Sequence, residues 1–168
     1  MTTTAQSRPL AVPSDLSEEA CKKVGDALRP LTADAIALYI KTKNYHWHMT
    51  GSHFKEYHEL LDDQATQVFA MIDVLAERAR KLGQTTVHSV AQVASLTRIK
   101  DDVREFVDPR GMLTALLEDN KSFNAAMRSA HEIMDQTNDV ATASLLEVFI
   151  DETERRVWFL YETVTGLN

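Results

Sequence analysis

The part of the sequence best suited to chemistry lies between residues 46 and 77, where histidines and carboxylates recur at helical spacings. His58 and Asp62 are four residues apart, as are Asp73 and Glu77, so each pair shares one face of a helix. Asp73 follows Asp62 after eleven residues, close to three helical turns. All four side chains therefore fall on one stripe about 100° wide, where a packed helix is normally apolar. Imidazole and carboxylate ligands suit iron, with manganese or zinc as competitors.

These four side chains cannot bind one ion within a single chain. His58 and Asp73 are fifteen residues apart, which is about 22 Å along a helix, whereas ligand atoms lie about 2–2.5 Å from a metal. Antiparallel pairing of this helix with the same helix of a second copy removes the difficulty. In one two-fold register, His58 faces the partner's Glu77 and Asp62 faces the partner's Asp73. The sequence thus predicts two equivalent sites, each shared between two identical chains.

His46 precedes this helix and is placed to add a second imidazole if the two helices pack antiparallel across Gly51. An incomplete ligand set leaves positions open for an oxidant, so the predicted reaction is metal oxidation rather than hydrolysis. Taken alone, a histidine is more often structural than a ligand, and Asp73 and Glu77 could pair with nearby basic residues on a solvated face. The shared two-fold register is what favours the metal site.

Apolar residues at helical spacing place these side chains in a set of long helices. The first helix is expected from about residue 17 to residue 50, with Pro30 either bending it or marking where a leading turn joins the main helix. The second is expected from about residue 53 to residue 82. Gly51 and Gly83 end the two helices in the left-handed conformation.

Residues 84–107 are rich in Ser, Thr and β-branched side chains, and they predict a crossover with a short helix near residues 90–96. Asp108 followed by Pro109 is a strong start signal for a third long helix, because the carboxylate caps it and the proline fits its first position. This helix is expected to end near Gln136.

Asn138 or Asp139 is expected to cap a fourth long helix that runs to about Thr165. Four long helices with one long crossover describe an all-α, ferritin-like four-helix bundle. This domain is expected to comprise residues 17–168. Residues 1–16 are small and polar and contain proline, so we expect a flexible N-terminal tail.

Composition narrows the classes of function. The chain has 168 residues, a formal net charge of −7 and one cysteine, Cys21, which excludes an internal disulfide framework. No charged leader or bilayer-spanning apolar run is apparent in the sequence. We therefore expect a cytoplasmic protein with no membrane partner, and association with the nucleoid stays open.

The segment NYHWHMTGSHFKEYHELLDDQ, with MIDVLAERARKLG after it, resembles the signature of the Dps family, small ferritin-like proteins that oxidise iron. The matching positions are Asn44, His46, Trp47, Gly51, Phe54, His58, Asp62, Asp73, Ala76, Glu77 and Arg78. The resemblance covers nearly the whole chain and is strongest over residues 41–83. The departure from the pattern is His48, where many members carry Asn; it either perturbs the site or covers surface.

The resemblance implies a hollow dodecameric shell with ferroxidase sites at its two-fold interfaces. One subunit would supply His46, His58 and Asp62, and its neighbour would supply Asp73 and Glu77. The substrates would be Fe(II) and hydrogen peroxide, or oxygen less readily. Storage of the ferric product as mineral would protect the cell from oxidative damage, because peroxide would no longer generate hydroxyl radicals from free iron.

The two tryptophans are expected to have different roles. Trp47, with Tyr45 beside it, resembles an aromatic pair that quenches stray oxidising equivalents near the site. Large aromatic side chains pack in cores by default, and we expect this of Trp158.

Acidic residues in the second half of the sequence have two interpretations each. Asp135 and Asp139 either line a three-fold iron-entry pore or serve as a helix cap and dipole partner. A stripe on the fourth helix either nucleates ferric oxide on an inner surface or is an ordinary exposed face. Its members are Glu147, Asp151 and Glu154.

DNA binding is weakly supported by the sequence. The first sixteen residues carry one cation, Arg8, opposed by Asp15, and the net charge of −7 repels a phosphate backbone. We expect weak or absent DNA binding at neutral pH. The main alternative function is a DNA-compacting nucleoid protein with incidental iron binding. A larger ferritin would need Glu-x-x-His pairs, which the sequence lacks.

Overall fold

Five α-helices make up most of the computed structural model, which describes residues 9–166. The helices are α1 (Glu18–His48), α2 (Phe54–Lys81), α3 (Val90–Leu96), α4 (Pro109–Thr137) and α5 (Val140–Thr165). Residues 9–166 contain no β-strand. The predicted all-α class and the order of four long helices with a short helix in the crossover are confirmed.

Local sequence signals set the ends of the helices. The side chains of Ser17 and Asp108 each accept a hydrogen bond from a main-chain N–H in the first turn of α1 and α4, and Pro109 is the first residue of α4. Gly83 follows the cap of α2 with a left-handed φ of 71°, as expected. Gly51 has a φ of 104° but does not end α1, because it lies three residues after His48 and the extended Met49 caps that helix. Each long helix therefore ends within two residues of its expected position.

Two uncertain points in the sequence are resolved by the structure. Pro30 lies inside α1, which continues on both sides of it, so it does not mark the start of the main helix. Asn138 and Asp139 both act as caps, one for each neighbouring helix. Asn138 ends α4 with a left-handed φ of 56°, whereas the side chain of Asp139 accepts the N–H of Thr142 in α5.

The long helices form two antiparallel pairs. In the first pair, the Tyr39 ring of α1 lies 5.1 Å from the Phe69 ring of α2. In the second, His131 of α4 lies 3.0 Å from Glu147 of α5. Apolar side chains from all four long helices fill the core between the pairs. The fully buried members include Leu28, Leu31, Leu38, Leu61, Met71, Leu75, Met112, Leu113, Leu116, Met127, Met134, Leu146 and Leu160.

Buried polar contacts hold the crossover against α1. Asp34, 1% exposed, accepts hydrogen bonds from the main-chain N–H and the guanidinium of Arg98 at 2.5–2.8 Å. The hydroxyl of Tyr45 donates to Asp102 at 2.6 Å. Burial and this hydrogen bond raise the pKa of Tyr45 well above its usual value, and hydrogen bonds from Arg104 and Tyr45 lower the pKa of Asp102. The crossover is thereby fixed along the helix that carries His46.

A guanidinium lies among α2, α4 and α5 inside the bundle. Arg156 is 1% exposed and donates to Asn120 at 3.0 Å and to Thr153 at 2.7 Å. Burial lowers its pKa to about 10. Among the described residues the buried carboxylates are those of Asp34, Asp139 and Asp102, and each is ion-paired at an end of a helix or in the crossover. The described bundle interior thus lacks the carboxylate set of a larger ferritin.

The expectation that Trp158 belongs to the core is wrong. Its side chain is 59% exposed and makes an edge contact with Phe159, whose ring centroid is 5.3 Å away. The buried face of α5 contains Arg156 and Leu160. Trp158 lies two residues from each of them, which at about 100° per residue turns it to the opposite side of the helix.

The chain before α1 touches the end of α2. The carbonyl of Leu10 accepts a hydrogen bond from Arg80 at 3.2 Å, and Leu16 packs against the core. Residues 1–8 of the expected tail lie outside the described residues, and the boundary between tail and bundle stays a prediction. None of the helices within residues 9–166 is long and apolar enough to cross a bilayer.

Candidate metal centre

The imidazole rings of His46 on α1 and His58 on α2 stack on each other and make reciprocal hydrogen bonds. Their ring centroids are 3.7 Å apart with an interplanar angle of 23°. Nδ1 of His46 lies 2.8 Å from the carbonyl oxygen of His58, and Nδ1 of His58 lies 2.9 Å from the carbonyl oxygen of His46. A carbonyl oxygen only accepts, so each Nδ1 donates its proton to the other residue's carbonyl oxygen. Nε2 is then the ring nitrogen that each histidine has left to bind a metal.

Asp62 lies one turn after His58 on the same face of α2, and its carboxylate points towards the ring of His46. Its Oδ1 is 3.9 Å from Nε2 of His46 and 2.7 Å from Nζ of Lys43. The hydrogen bond and the charge of Lys43 hold the pKa of Asp62 below its usual value. Asp62 is thus an ionised carboxylate next to two histidines, and its immediate partner is an ammonium group.

Asp73 and Glu77 lie farther along α2 and are exposed. Glu77 has a 61% exposed side chain, with Nζ of Lys81 4.0 Å away. The fifteen residues from His58 to Asp73 correspond to about 22 Å along α2. Residues 9–166 contain no group of three His, Cys, Asp or Glu side chains that could hold a metal ion within one chain. Within one chain, His46, His58 and Asp62 lie near one another without forming a complete metal-binding group, and Asp73 and Glu77 lie apart from them.

The stripe of α2 between these two groups faces solvent. Thr66 and Phe69 occupy it and both are exposed, Phe69 at 59%, whereas Val68 and Leu75 on the other side of α2 are buried in the core. An exposed aromatic ring between two groups of ligand-type residues fits an interface. The ligand-type residues therefore flank a surface that this chain does not cover itself.

Known proteins identify the family of the chain. A model of the ferritin-like domain matches residues 25–168. The DNA protection during starvation protein of Agrobacterium fabrum is 31% identical over 147 residues, which cover 88% of this chain and 91% of that protein. This chain belongs to the Dps family of ferritin-like proteins.

Solved structures of Dps proteins have the same fold. A Dps protein from Vibrio cholerae, described as a member of a broad superfamily of ferritin-like diiron-carboxylate proteins, is 26% identical with a TM-score of 0.88. The alignment covers 95% of this chain and 99% of that one. DpsC from Streptomyces coelicolor is 27% identical, also with a TM-score of 0.88 and with 95% of each chain covered.

Trp47 and His48, at the end of α1, are on the surface of this Dps chain, whereas the preceding Tyr45 and His46 are buried. Trp47 is 64% exposed, and Nζ of Lys43 lies 6.0 Å from its ring centroid. His48, the departure from the family pattern, is exposed, and its Nδ1 lies 2.8 Å from the carbonyl oxygen of Asn44. This contact ties the His48 ring to its own helix and does not involve Asp62.

The expected pore residues differ in their surroundings. Asp139 is 3% exposed, caps α5 and lies 2.8 Å from Arg78. Burial acts to raise its pKa, but hydrogen bonds from Thr142 and Arg78 outweigh burial and hold the pKa below its usual value. Asp139 thus has the cap role that the sequence left open. Asp135 is 66% exposed and 3.4 Å from His131, and a role in a pore stays a prediction.

The acidic stripe of α5 is exposed and partly paired. Glu147 contacts His131, Glu154 contacts Arg128, and Asp151 is exposed. These contacts fit either of the two interpretations made from the sequence.

The sequence interpretation missed Lys43. Lys43 precedes His46 by three residues, so a helical reading places both on one face of α1, towards α2. That spacing was the available signal for its contact with Asp62.

Proposed function

We propose that this Dps chain is a ferroxidase that oxidises Fe(II) with hydrogen peroxide, or with oxygen less readily. The ferric product is stored as mineral inside a dodecameric shell, and the removal of iron and peroxide protects the cell from oxidative damage. The observation that carries the proposal is the reciprocal His46–His58 pair beside Asp62. Two oriented Nε2 atoms and a carboxylate form half of a site for a transition metal.

The second half is supplied by another subunit. The two-fold register places the partner's Glu77 opposite His58 and the partner's Asp73 opposite Asp62. The exposed Phe69 lies at the centre of this register, where the partner would bury it. The proposal therefore accounts for two exposed carboxylates and an exposed aromatic ring with one contact.

The chemistry follows from the ligand types. Carboxylates stabilise the ferric product more than the ferrous substrate, and neutral imidazoles accommodate both. Two Fe(II) ions each give up one electron, and one peroxide molecule takes both electrons and two protons to yield two water molecules. Because both electrons reach the same peroxide molecule, no hydroxyl radical forms, as it would if peroxide accepted a single electron. Trp47, one residue from His46, is the proposed donor for a stray one-electron oxidant. Zinc or manganese would compete for the same ligands.

Protection through iron chemistry is favoured over compaction of DNA. The chain carries a net charge of −7, and a shell multiplies it, so a phosphate backbone is repelled at neutral pH. We propose a cytoplasmic homo-oligomer with weak or no DNA binding.

Anaerobic addition of Fe(II) followed by a peroxide pulse tests the proposal, with ferric absorbance measured against a sample without protein. We expect fast oxidation with a soluble product for the unmodified protein. The double variant His58→Ala/Asp62→Ala should assemble but oxidise Fe(II) at the rate of the protein-free sample. Asp63→Ala is the matched control, since this exposed carboxylate is adjacent to Asp62 but lies off the stripe. Oxidation by the unmodified protein no faster than without protein would refute the ferroxidase.

A further inference from the structure

The ammonium group of Lys43 contacts the carboxylate that the proposed site needs as a ligand. Nζ of Lys43 lies 2.7 Å from Oδ1 of Asp62, the oxygen that is also 3.9 Å from Nε2 of His46. Lys43 lies one turn before His46 on α1, so both approach Asp62 from the same side. The Lys43 side chain is 17% exposed and that of Asp62 is 55% exposed, so this ion pair is shielded from water on the side of the lysine.

We propose that Lys43 is an internal competitor for the metal at Asp62 and sets the Fe(II) affinity of that end of the site. The inference rests on the proposed function, because it requires Asp62 to be a metal ligand. A divalent cation and an ammonium group repel each other strongly when both are in contact with one carboxylate oxygen. Binding of Fe(II) at Asp62 therefore requires Nζ of Lys43 to leave.

The carboxylates of the other half of the site are not restrained in this way. Glu77 lies 4.0 Å from Lys81, and both side chains are more than 60% exposed, so water screens that pair. Lys43 and Asp62 are closer together, and Lys43 is largely shielded. The two ends of each shared site should thus differ in metal affinity, with the weaker end at Asp62.

The ring of Trp47 lies one turn after Lys43 on α1, and its centroid is 6.0 Å from Nζ in the same conformation that contacts Asp62. The face of an indole ring attracts a nearby cation. In the proposed exchange the Lys43 side chain rotates away from Asp62 and stays beside this ring, so α1 does not need to move. Once Fe(II) is bound, Lys43 takes no part in the reaction.

Calorimetric titration of the assembled, iron-free protein with Zn²⁺ tests this inference. Lys43→Met removes the charge and keeps the length of the side chain, and Lys43→Arg restores a cation. We expect Lys43→Met to bind Zn²⁺ about five- to tenfold more tightly, the factor for an ion pair worth about 1 kcal/mol. Lys43→Arg should stay close to the unmodified protein. Lys55→Met is the matched control, since Lys55 carries the same charge on α2, is 79% exposed and pairs only loosely with Glu59.

Steady-state oxidation gives a second readout. Lys43→Met should lower the KM for Fe(II) by a similar factor and leave kcat unchanged, because the ammonium group competes only with binding. A role in packing alone would not produce this separation of KM from kcat.

Each outcome of the titration is decisive. Equal Zn²⁺ affinity in Lys43→Met and the unmodified protein overturns the inference. Weaker affinity in Lys43→Met also overturns it and makes Lys43 a residue that positions Asp62 for the metal. His58→Ala in the same titration separates the two hypotheses. If His58→Ala binds Zn²⁺ as well as the unmodified protein, the proposed site fails; if it loses Zn²⁺ while Lys43→Met is unchanged, only the role of Lys43 fails.

Discussion

Two inactive variants should restore activity to each other if the site is shared between subunits. One variant, His58→Ala/Asp62→Ala, lacks the first half of the site. The other, Asp73→Ala/Glu77→Ala, lacks the second half. In a mixed dimer one site combines both damaged halves, whereas the other combines both intact halves. A chain that carried a complete site by itself could not gain activity from a damaged neighbour.

The expected recovery follows from the two-fold geometry. Random pairing of equal amounts of the two variants makes half of the dimers mixed, and each mixed dimer has one intact site of two. About one quarter of the sites of the unmodified protein should therefore be restored. The separation of about 22 Å between His58 and Asp73 along α2 excludes restoration within one chain.

Coexpression of the two variants with different affinity tags, purification through both tags and the peroxide-pulse measurement form the assay. Selection for both tags ensures that every shell contains both variants. The control is a mixture of His58→Ala with Asp62→Ala, which damage the same half, so no dimer contains an intact site. Activity of the mixed shells at the level of this control would refute the shared site, even if each variant alone were inactive.

Two further predictions concern the buried carboxylates that hold the ends and the crossover of the bundle. Asp139→Ala removes a helix cap and the partner of Arg78, and we expect urea unfolding to show a loss of about 2–3 kcal/mol at neutral pH. Because the folded pKa of Asp139 is below its usual value, this loss should be full above about pH 4 and shrink as the pH falls through the folded pKa; a loss that grows in acid would contradict this assignment. Asp34→Ala should cost about 2–4 kcal/mol, since it leaves the guanidinium and the main-chain N–H of Arg98 without their acceptor. A change below about 0.5 kcal/mol would show that this pair does not anchor the crossover.

Local signals explain why the helices could be predicted from the sequence. Asp108 and Pro109 favour a helix start whatever surrounds them, and Gly51 and Gly83 supply conformations that few other residues adopt. The spacing of the stripe on α2 is equally local, since the period of a helix determines which residues share a face. These features do not depend on how the helices pack.

Features that depend on packing could not be predicted with the same success. Trp158 has the residue type of a core position, but the face of α5 that is buried is chosen by α2 and α4. The ring contact of His46 with His58 depends on the angle at which α1 meets α2, which no spacing in the sequence specifies. Lys43 was overlooked for the same reason, because its partner lies on another helix.

The position of charge in the bundle gives a physical reason for placing the chemistry at a subunit interface. Arg156 puts a cation in the low-dielectric space among α2, α4 and α5, where a divalent metal ion would be repelled. The carboxylates suited to iron lie instead on the exposed stripe of α2, where water competes for the metal and weakens each contact. A second subunit that covers this stripe would exclude water and supply the missing ligands in the same step. Oxidation of Fe(II) would then begin only in the assembled protein, so free subunits would neither bind nor oxidise iron efficiently outside the proposed shell.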